Sequence, residues 1–494
     1  MEGMIDIEEV TIDKVQAAYR EKSLKVVDLV DVYLRRIEAL DKNGPGLNSV
    51  ITINPRAKEE AEELDRFFEK NGKFKGKLHG VPIVVKDQIE TKNLTTTFGS
   101  IAFKNYLPKE DATVINKLKK DGAIILAKTN LPDFATAWVG LSSAIGNTKN
   151  PYDTNRDSGG SSSGTGVAVA ANLSLVGLGE DTGGSIRVPS SFNNLFGLKV
   201  TTGLISRFGV SPLVHFYDST GPMCRTVLDL AKVLDSIVGF DPNDSYTSIC
   251  SQYDNLGRFS ESLNSRFLKN KRIGILREAF GDSKESEEVN DVVNFAIKNL
   301  EECGAEIVDP VSVNGLRKFI DKTALYILQS RYDLNKFISS KSNSPVPSFD
   351  YIYDNKLFPH KLDLIHEIHN GPEKPWFDEN YYARRLEIEH FRRNILFTMS
   401  KNDLDALAYP TVQVLPPTKE DVEAGKWTVL TFPTNTLIAT QSVLPAISMP
   451  AGFTKNGIPV GIEILGKQFS EFALVNMAYS YEQKAKPRRK PELN

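Results

Sequence analysis

The sequence has few cysteines and no apolar run long enough to span a membrane. Cysteine occurs three times, at positions 224, 250 and 303, and no two of these have metal-ligand spacing, so neither a disulfide framework nor a cysteine metal site is expected. The longest apolar run, 167–179, contains Asn172 and Ser174 and falls short of the roughly 18 apolar residues that a spanning helix requires. The first ten residues, MEGMIDIEEV, are acidic and lack the apolar segment of a signal peptide. We therefore predict a soluble, cytoplasmic protein with no membrane partner.

An excess of either charge is also absent. Lys and Arg together number 60 and Asp and Glu 63, which gives a formal net charge of -3. Proteins dedicated to nucleic-acid binding usually carry a clear basic excess, so no nucleic-acid partner is expected. Hydrophobic residues make up 40% of the chain and charged residues 25%. These values are typical of folded proteins and exclude intrinsic disorder and a collagen-like chain.

Apolar residues alternate between helical and extended spacing. In the N-terminal region Val26, Val30, Tyr33, Ile37 and Leu40 recur at three- and four-residue steps, which predicts one face of a helix. Short apolar runs predict strands at 78–85, 123–127, 272–276, 305–308, 406–409, 446–449 and 460–465. Helical patterns precede several of these runs. The alternation predicts an α/β fold with a large mixed, mostly parallel twisted sheet covered by helices on both faces, and with a helical insertion.

No long linker or internal repeat divides the chain, so we predict one domain over residues 1–494. Within it we expect N-terminal helices at 1–75, a core at 76–240, a helical cap at 310–400 and a solvated basic tail at 484–494. The segment 310–400 is polar, aromatic and helical, which favours its interpretation as a cap over one end of the sheet.

The most unusual stretch is the Gly/Ser-rich segment 157–199, DSGGSSSGTGVAVAANLSLVGLGEDTGGSIRVPSSFNNLFGLK. Its glycine pairs, at 159–160 and at 183–184, free the backbone for conformations that other residues avoid. Such turns also allow successive N–H groups to point at one anionic group. Close packing alone does not explain why one segment contains two such turns. Three functional interpretations of the segment are considered.

Two of these interpretations fit the segment poorly. A phosphate-binding loop would need a lysine at the end of its glycine-rich motif, and GGSSSGTG has none. A nucleophile elbow, G-x-S-x-G, is satisfied by residues 160–164 with Ser162 at the centre. That fold would also need a later acid and histidine, but the last histidine, His390, lies in a charged helical pattern far from the C-terminus. The third interpretation uses both glycine turns together with Lys86.

Three motifs carry a resemblance to a known family: PIVVKD at 82–87, GGSSSG at 159–164 and DTGGSIRVPSSF at 181–192. Together they resemble the amidase signature family of serine hydrolases. The likeness continues through residues 197–234 and 444–466, and covers most of the chain outside 310–400. The longer GGSSSG form, with LDKNGPGLNSVITINP near the N-terminus, is more similar to stand-alone amidases resembling peptide amidase.

The resemblance implies a Ser-Ser-Lys triad made of Lys86, Ser161 and Ser185. Ser185 would be the nucleophile, Lys86 the base, and Ser161, held by a cis peptide bond, the relay between them. The serine spacing, 185 − 161 = 24, fits the family pattern. Backbone N–H groups of Thr182, Gly183, Gly184 and Ser185 would form the oxyanion hole. No metal and no cofactor are implied.

The chemistry of amide cleavage supports these assignments. A serine hydroxyl is a weak nucleophile and needs a neighbouring base. The carbonyl oxygen gains negative charge as it is attacked, so fixed N–H donors are needed where that oxygen will lie. A lysine is a base only when uncharged, and burial at the end of an apolar strand lowers the pKa of Lys86 in the required direction.

Residues around the motifs have less specific interpretations. Asp181 and Arg187 flank the Ser185 turn and are expected to pair and hold it. Lys128, at another strand end, is interpreted as structural. Ala135 and Trp138 are candidate pocket residues. The cap aromatics predict an apolar or aromatic acyl group in the substrate; they are Tyr326, Phe349, Tyr351, Trp376 and Tyr381. His366 and His369 lack the acidic partners of a metal motif.

We therefore predict an amidohydrolase that cleaves the C–N bond of a linear amide through an acyl-enzyme and releases ammonia or an amine. Its partner would be a small-molecule amide, and the chain would act as a monomer or homodimer. Alternatives are an A-type component of a tRNA-dependent amidotransferase, an ester- or carbamate-preferring hydrolase of the same family, and an inactive docking module. The chain departs from the family pattern at Glu180, where Thr is frequent, at Val200, and at 217–222, where the A-type amidotransferase components commonly have LDQIGP.

Overall fold

The computed structural model describes residues 7–253 and 256–493. Residues 1–6 of the acidic N-terminal segment and residue 494 of the basic tail lie outside the described residues. The strands are β1 Val50–Ile53, β2 Pro82–Lys86, β3 Ile124–Thr129, β4 Leu141–Ser142, β5 Gly146–Asn147, β6 Val176–Asp181, β7 Phe196–Lys199, β8 Ser219–Cys224, β9 Arg272–Leu276, β10 Glu306–Val311, β11 Ala406–Pro410, β12 Ala446–Phe453 and β13 Pro459–Leu465. The α-helices are α1 Ile12–Arg20, α2 Val26–Arg36, α3 Ala57–Asn71, α4 Thr113–Lys120, α5 Ser163–Ala170, α6 Arg187–Phe192, α7 Val227–Ile237, α8 Glu287–Glu302, α9 Leu316–Thr323, α10 Tyr326–Ser339, α11 Phe349–Asp354, α12 Asp363–Asn370, α13 Tyr381–Lys401, α14 Lys419–Glu423, α15 Leu437–Gln441 and α16 Glu471–Ala485.

One large mixed sheet organises the described part of the chain. Its strand order is β1-β3-β2-β6-β8-β7-β12-β13-β11-β9-β10, and β4 and β5 form a separate hairpin. The parallel pairs lie in two groups, β3-β2-β6 and β11-β9-β10. The strands between these groups pair antiparallel, as does the edge strand β1 with β3. The mixed sheet expected from the sequence is confirmed, with its parallel pairing concentrated in these two groups.

Helices cover both faces of this sheet. Along β11, Ala406 and Ala408 belong to the core that contains α8 and α16. Leu407 and Tyr409 belong to a second core with α13 and α15. Successive side chains of a strand point to opposite faces, so the two helix layers lie on opposite sides of the sheet, as predicted from the alternation of strands and helices.

Strand β2, which carries the PIVVKD motif, begins later than the apolar run that predicted it. The run 78–85 predicted a strand, but β2 begins at Pro82 because residues 78–81 form a turn, closed by the Val81 N–H donating to the Leu78 carbonyl at 3.0 Å. Gly80 within that turn has φ +71°, a left-handed conformation that favours glycine. β2 then continues through Lys86, which places this lysine at the carboxyl end of a strand between β3 and β6.

The segment 310–400 contains the helices α9 to α13. The apolar side chains of its middle part, residues 325–388, share one core cluster with those of the loops that follow β2 and β3, whereas those of α9 and of the second half of α13 pack in the core that contains α15. The rings of Phe134 and Phe349 meet edge to face across this cluster, with centroids 6.1 Å apart. This packing attaches the segment to the loops at the carboxyl ends of β2 and β3.

The basic tail is exposed at residues 484, 486, 489, 490 and 492, but Arg488 and Pro491 anchor it to the rest of the protein. The Arg488 side chain is 10% exposed and pairs with Glu9, with Nη2 to Oε1 at 2.9 Å, while Nη2 also donates to the Ala170 carbonyl at 2.8 Å. Pro491 is buried as well. Basic composition predicts solvent exposure only where no partner exists, and here the partners come from the opposite end of the chain and from α5.

Within residues 7–253 and 256–493, no helix is both long enough and apolar enough to cross a bilayer.

Candidate active site

Lys86 is a fully buried lysine at the end of a fully buried strand. Its Nζ lies 2.8 Å from Ser161 Oγ, 3.1 Å from the Glu180 carbonyl oxygen and 3.1 Å from Glu180 Oε2, all within hydrogen-bonding distance. Burial lowers the pKa of the Lys86 amine, and the neighbouring Glu180 carboxyl opposes that shift. The structure thus brings together two residues of the expected triad that are 75 positions apart in the chain.

The glycine pair at 159–160 allows Ser161 to reach this lysine. The peptide bond between Gly160 and Ser161 is cis, as the family resemblance implied. A Cβ on Gly160 would lie 2.9 Å from the Ala137 carbonyl oxygen, so only glycine fits between the two chain segments. Ser161 itself is fully buried.

Ser162, the centre of the alternative G-x-S-x-G motif, faces away from open space. Its hydroxyl is fully buried and donates to the Glu180 carbonyl at 3.1 Å. Its N–H donates to the Ser185 carbonyl at 3.0 Å. Ser162 therefore joins the two glycine-containing turns, and this geometry argues against its use as a nucleophile.

Ser185 lies in the turn between β6 and α6. Gly184 in this turn has φ +134°, and a Cβ there would overlap the side chain of Thr436. The Asp181 carboxylate accepts the N–H groups of Gly184 at 2.7 Å and Ile186 at 3.1 Å. The turn is therefore held by the hydrogen bonds that its N–H groups donate to Asp181, the residue before it, as well as by packing.

The predicted pairing of Asp181 and Arg187 is confirmed. Arg187 donates through Nε and Nη2 to the two Asp181 oxygens, both at 3.0 Å, and through Nη1 to Glu463 at 2.6 Å. Burial alone would raise the pKa of Asp181, but the Arg187 guanidinium holds it below its ordinary value. A permanent carboxylate is therefore available to fix the Ser185 turn.

One of the four expected oxyanion donors is already engaged, because the Gly184 N–H points at Asp181. The N–H groups of Thr182, Gly183 and Ser185 donate to no other group within the described residues. Of the four N–H groups expected in the oxyanion hole, three therefore have no acceptor among the described residues and one does.

Ser185 and Gly183 form part of the wall of a cavity of about 230 Å³. Ala135 and Trp138, the candidate pocket residues, line the same cavity. The remaining lining is mostly apolar and comprises Thr136, Ala137, Leu213, Ile320, Asp321, Ala324, Tyr326, Leu364, Val429, Leu430, Leu437 and Gln441. The predicted nucleophile thus opens onto an apolar space, whereas Lys86 and Ser161 do not line the cavity. Within the described residues no hydrogen bond joins Ser161 to Ser185, and the Ser162 N–H bond to the Ser185 carbonyl connects the two turns.

Two residues that contact the Ser185 turn were not predicted to do so from the sequence. Thr436 donates to the Gly183 carbonyl at 2.5 Å, and Tyr326 Oη donates to the Thr182 carbonyl at 3.3 Å. Both contacts join segments more than a hundred positions apart, and no local pattern signals them. Tyr326 was noted only as one of five cap aromatics.

The other four cap aromatics lie away from the cavity lining. Phe349 is buried against Phe134. Tyr351 and Trp376 are 43% and 44% exposed, and Tyr381 donates to Gln329 at 2.7 Å. The aromatic content of the cap was therefore a poor guide to the pocket, because aromatic residues also form its own core.

Two further carboxyl groups lie beside Lys86. Burial raises the pKa of Glu180 to about 7, against the opposing charge of Lys86. Burial likewise raises the pKa of Asp218 to about 6. Thr182 lies between the two groups, with its hydroxyl 2.9 Å from Glu180 Oε1 and 2.6 Å from Asp218 Oδ1.

Among residues 7–253 and 256–493, no group of three or more His, Cys, Asp and Glu side chains is placed to hold a metal ion.

Comparison with known proteins identifies what this chain resembles. A sequence model of the family described as Amidase matches residues 28–475. The chain is 32% identical to the A-type component of the glutamyl-tRNA(Gln) amidotransferase of Thermoanaerobacter pseudethanolicus, over 99% of each chain. It is also 32% identical to a probable amidase of Arabidopsis thaliana, over 100% of this chain and 93% of the relative. Among solved structures, the native peptide amidase of Stenotrophomonas maltophilia matches with a TM-score of 0.88 and 31% identity, over 99% of each chain.

Proposed function

Because this chain belongs to the amidase signature family, we propose that it is an amidohydrolase that cleaves the C–N bond of a linear carboxylic amide. The observation that carries the proposal is the buried 2.8 Å contact between Lys86 Nζ and Ser161 Oγ, next to Ser162, whose N–H donates to the carbonyl of the cavity-lining Ser185. Burial lowers the pKa of Lys86, which favours the uncharged amine that a base must be.

The proposed reaction begins with a proton relay. Lys86 accepts the proton of Ser161, Ser161 accepts that of Ser185, and Ser185 Oγ forms a bond to the carbonyl carbon. The carbonyl π electrons move to oxygen, and this oxyanion is stabilised by the N–H groups of Thr182, Gly183 and Ser185. The three donors are supported by the absence of other acceptors for them within the described residues.

The relay then runs in reverse. The proton on Lys86 returns through Ser161 to the amide nitrogen as the C–N bond breaks, and ammonia or an amine leaves. Water attacks the acyl-enzyme, gives its proton to the same relay, and releases the carboxylic acid together with the Ser185 hydroxyl. The cycle balances without a metal ion or redox cofactor.

The cavity favours a substrate with an uncharged, apolar acyl group. Its lining is mostly apolar and contains Trp138 and Tyr326 close to Ser185. A second cavity of about 190 Å³ shares Trp138 and Val429 with the first, which leaves space for an acyl group longer than the first cavity holds. Esters and carbamates with the same acyl group would fit the same space.

Labelling and kinetics test this proposal together. A fluorophosphonate probe is expected to modify Ser185, located by peptide mapping, and S185A is expected to lower the hydrolysis of primary amides by about 10⁴-fold or more. Matched esters and carbamates in the same panel measure the preference for the leaving group. A label on Ser162, or unchanged hydrolysis by S185A, would contradict the assignment.

A second candidate is the A-type component of a tRNA-dependent amidotransferase. It is favoured by the 32% identity to such a protein over 99% of each chain. The absence of LDQIGP at 217–222 and the net charge of -3 count against it. Turnover of simple amides by the purified chain alone would support the amidohydrolase. Activity that appears only with partner chains and glutamine would support the amidotransferase.

The remaining proposals rest on composition. We propose a cytoplasmic protein that acts as a monomer or homodimer, without a nucleic-acid or membrane partner. Cys224, Cys250 and Cys303 form no disulfide with one another, which agrees with a reducing compartment. Light scattering of the purified chain during size-exclusion chromatography measures the oligomeric state.

A further inference from the structure

A series of hydrogen-bonded polar side chains, separate from the two serines, begins at Lys86. Glu180, Thr182 and Asp218, here called the carboxyl chain, are at most 2% exposed. Glu180 is the member that contacts Lys86, through Oε2 at 3.1 Å. The proposed mechanism needs an uncharged Lys86 but leaves the state of this neighbouring carboxyl undefined.

The hydrogen-bond count within the carboxyl chain requires an additional proton. The Thr182 hydroxyl lies 2.9 Å from Glu180 Oε1 and 2.6 Å from Asp218 Oδ1. A hydroxyl donates one proton, and an ionised carboxylate only accepts. Two ionised carboxylates would therefore leave one of these short contacts without a donor, so one of the two carboxyl groups carries a proton and donates it to Thr182.

The surroundings of Asp218 favour its ionised form. Its Oδ1 accepts the Val214 N–H and its Oδ2 the Leu213 N–H, both at 3.1 Å. Hydrogen bonds from backbone N–H groups stabilise a carboxylate. Glu180 Oε1, by contrast, has the Thr182 hydroxyl as its only hydrogen-bond partner within the described residues. The proton therefore belongs on Glu180 Oε1, and the Thr182 hydroxyl donates its hydrogen bond to Asp218 Oδ1.

Other charges near the carboxyl chain do not change the assignment of the proton to Glu180 rather than to Asp218. Asp181 is neutralised by Arg187, and Asp333 and Arg207 act on Asp218 with opposite signs. The direction of the pKa shifts agrees, since burial raises the pKa of Glu180 to about 7 and that of Asp218 to about 6.

We propose that Glu180 is a positioning residue that carries a proton while Lys86 acts as the base, donates through Thr182 to the Asp218 carboxylate, and presents Lys86 with a neutral carbonyl oxygen instead of a charge. This inference rests on the proposed function, because it explains how a lysine beside a glutamic acid can act as a base. An ionised carboxylate at 3.1 Å would stabilise the Lys86 ammonium, which cannot accept the Ser161 proton. The neutral acid keeps the contact that orients Lys86 and removes the charge that would disable it.

The pH dependence of kcat/KM for E180Q and E180L tests this proposal. Glutamine mimics the neutral acid, because its carbonyl accepts from Lys86 and its NH₂ group donates to Thr182. In E180Q the acid limb of the profile is expected to stay within about 0.3 pH units of the parent. E180L can make neither contact and is expected to have a kcat roughly 10-fold or more below that of E180Q. A shift of the E180Q limb to lower pH by about one unit or more would show that Glu180 is ionised in the parent, and would overturn the proposal.

Infrared spectroscopy provides a readout that needs no substrate. At about pH 6, below the pKa of about 7 for Glu180, the parent minus E180Q difference spectrum is expected to contain the carbonyl stretch of a protonated carboxyl, shifted in heavy water. Absence of that band overturns the proposal even if amides are hydrolysed through Ser185. A band in a parent that hydrolyses no amide supports the protonation state and contradicts the proposed function, so the two failures are distinguishable.

Discussion

Two lysines at neighbouring strand ends are equally buried but contact different groups. Lys86 ends β2 and Lys128 lies near the end of β3, and both are fully buried beside a carboxyl group. Burial lowers the pKa of both amines, against the opposing charge of the adjacent carboxyl group. Only Lys86 contacts a serine hydroxyl of the candidate site. The difference lies in the direction each side chain takes and in what its carboxyl partner contacts.

The carboxyl partner of Lys128 is Asp87, and both Asp87 oxygens accept hydrogen bonds. Lys128 Nζ donates to Asp87 Oδ1 at 2.8 Å, to the Ile89 carbonyl at 2.7 Å and to Thr96 Oγ1 at 3.0 Å. Asp87 Oδ2 accepts both the N–H and the hydroxyl of Thr97. The ion pair and these hydrogen bonds tie the loop after β2 to β3. The structural interpretation of Lys128 is supported by these contacts.

The strand register explains why the two lysines reach different surroundings. In the parallel pair, Lys128 lies opposite Val85 and Lys86 lies opposite Thr129. Adjacent residues of a strand point to opposite faces, so the two amines leave the sheet on opposite sides. Ser161 and the Ser185 turn lie on the side of Lys86 only.

The largest effect is expected from removing the amine at Lys86. K86M should lower kcat/KM for the best primary amide by about 10³-fold or more, because the relay then lacks its base. Labelling of Ser185 by the fluorophosphonate probe should slow in parallel. K128M is the matched control, and any folded K128M protein should keep its labelling rate. Equal losses of labelling in both variants would mean that the two lysines do not differ in role.

The next effect concerns stability at Lys128. K128M leaves Asp87 buried without its cation, which is expected to lower the free energy of unfolding by roughly 3–5 kcal/mol. Urea denaturation measures this loss. D87N combined with K128M removes the unpaired charge and should recover part of it. A K128M protein as stable as the parent would show that the ion pair contributes little.

A smaller effect is expected in the pH dependence of stability at Glu180. The unfolded chain releases this proton near pH 4.5 and the folded protein near 7, so between these values the unfolded state binds fewer protons and stability falls as pH rises. E180Q has no titratable carboxyl group at this position. Between pH 4.5 and 7 its free energy of unfolding should therefore rise by about 1–3 kcal/mol relative to that of the parent. T96V, at the other lysine, removes no titratable group and should show no such relative gain. A pH-independent difference between E180Q and the parent would contradict the raised pKa of Glu180.

The smallest effect should come from trimming the Lys128 site. T96V removes one of the three acceptors of Lys128 and is expected to cost about 1 kcal/mol of unfolding free energy. The pH profile of kcat/KM should stay unchanged, since Thr96 contacts no residue of the candidate site. A displaced profile would mean that the two lysine sites are coupled through the sheet.

Sequence patterns were sufficient for the general fold and for the motifs around Ser161 and Ser185. Alternating helical and extended runs predicted the mixed sheet, and the helix layers on both faces follow from the same pattern. The engagement of the Gly184 N–H by Asp181 was not predictable, because it depends on the path of a turn and not on residue types. The packing of Arg488 on Glu9 was missed for a related reason, since composition does not reveal partners from distant segments.

The sequence by itself determined which chemistry was available: a strand-end lysine, two glycine-flanked serines, and a resemblance that selects Lys86 over Lys128. Both lysines follow short apolar runs, and neither local pattern states which face its amine will occupy. Only the tertiary structure decided that Lys86 meets Ser161 while Lys128 meets Asp87, because the register of β2 on β3 sets the direction of each side chain. The tertiary structure also placed Glu180, Thr182 and Asp218 in contact. The number of protons that a buried cluster carries depends on such contacts and not on composition.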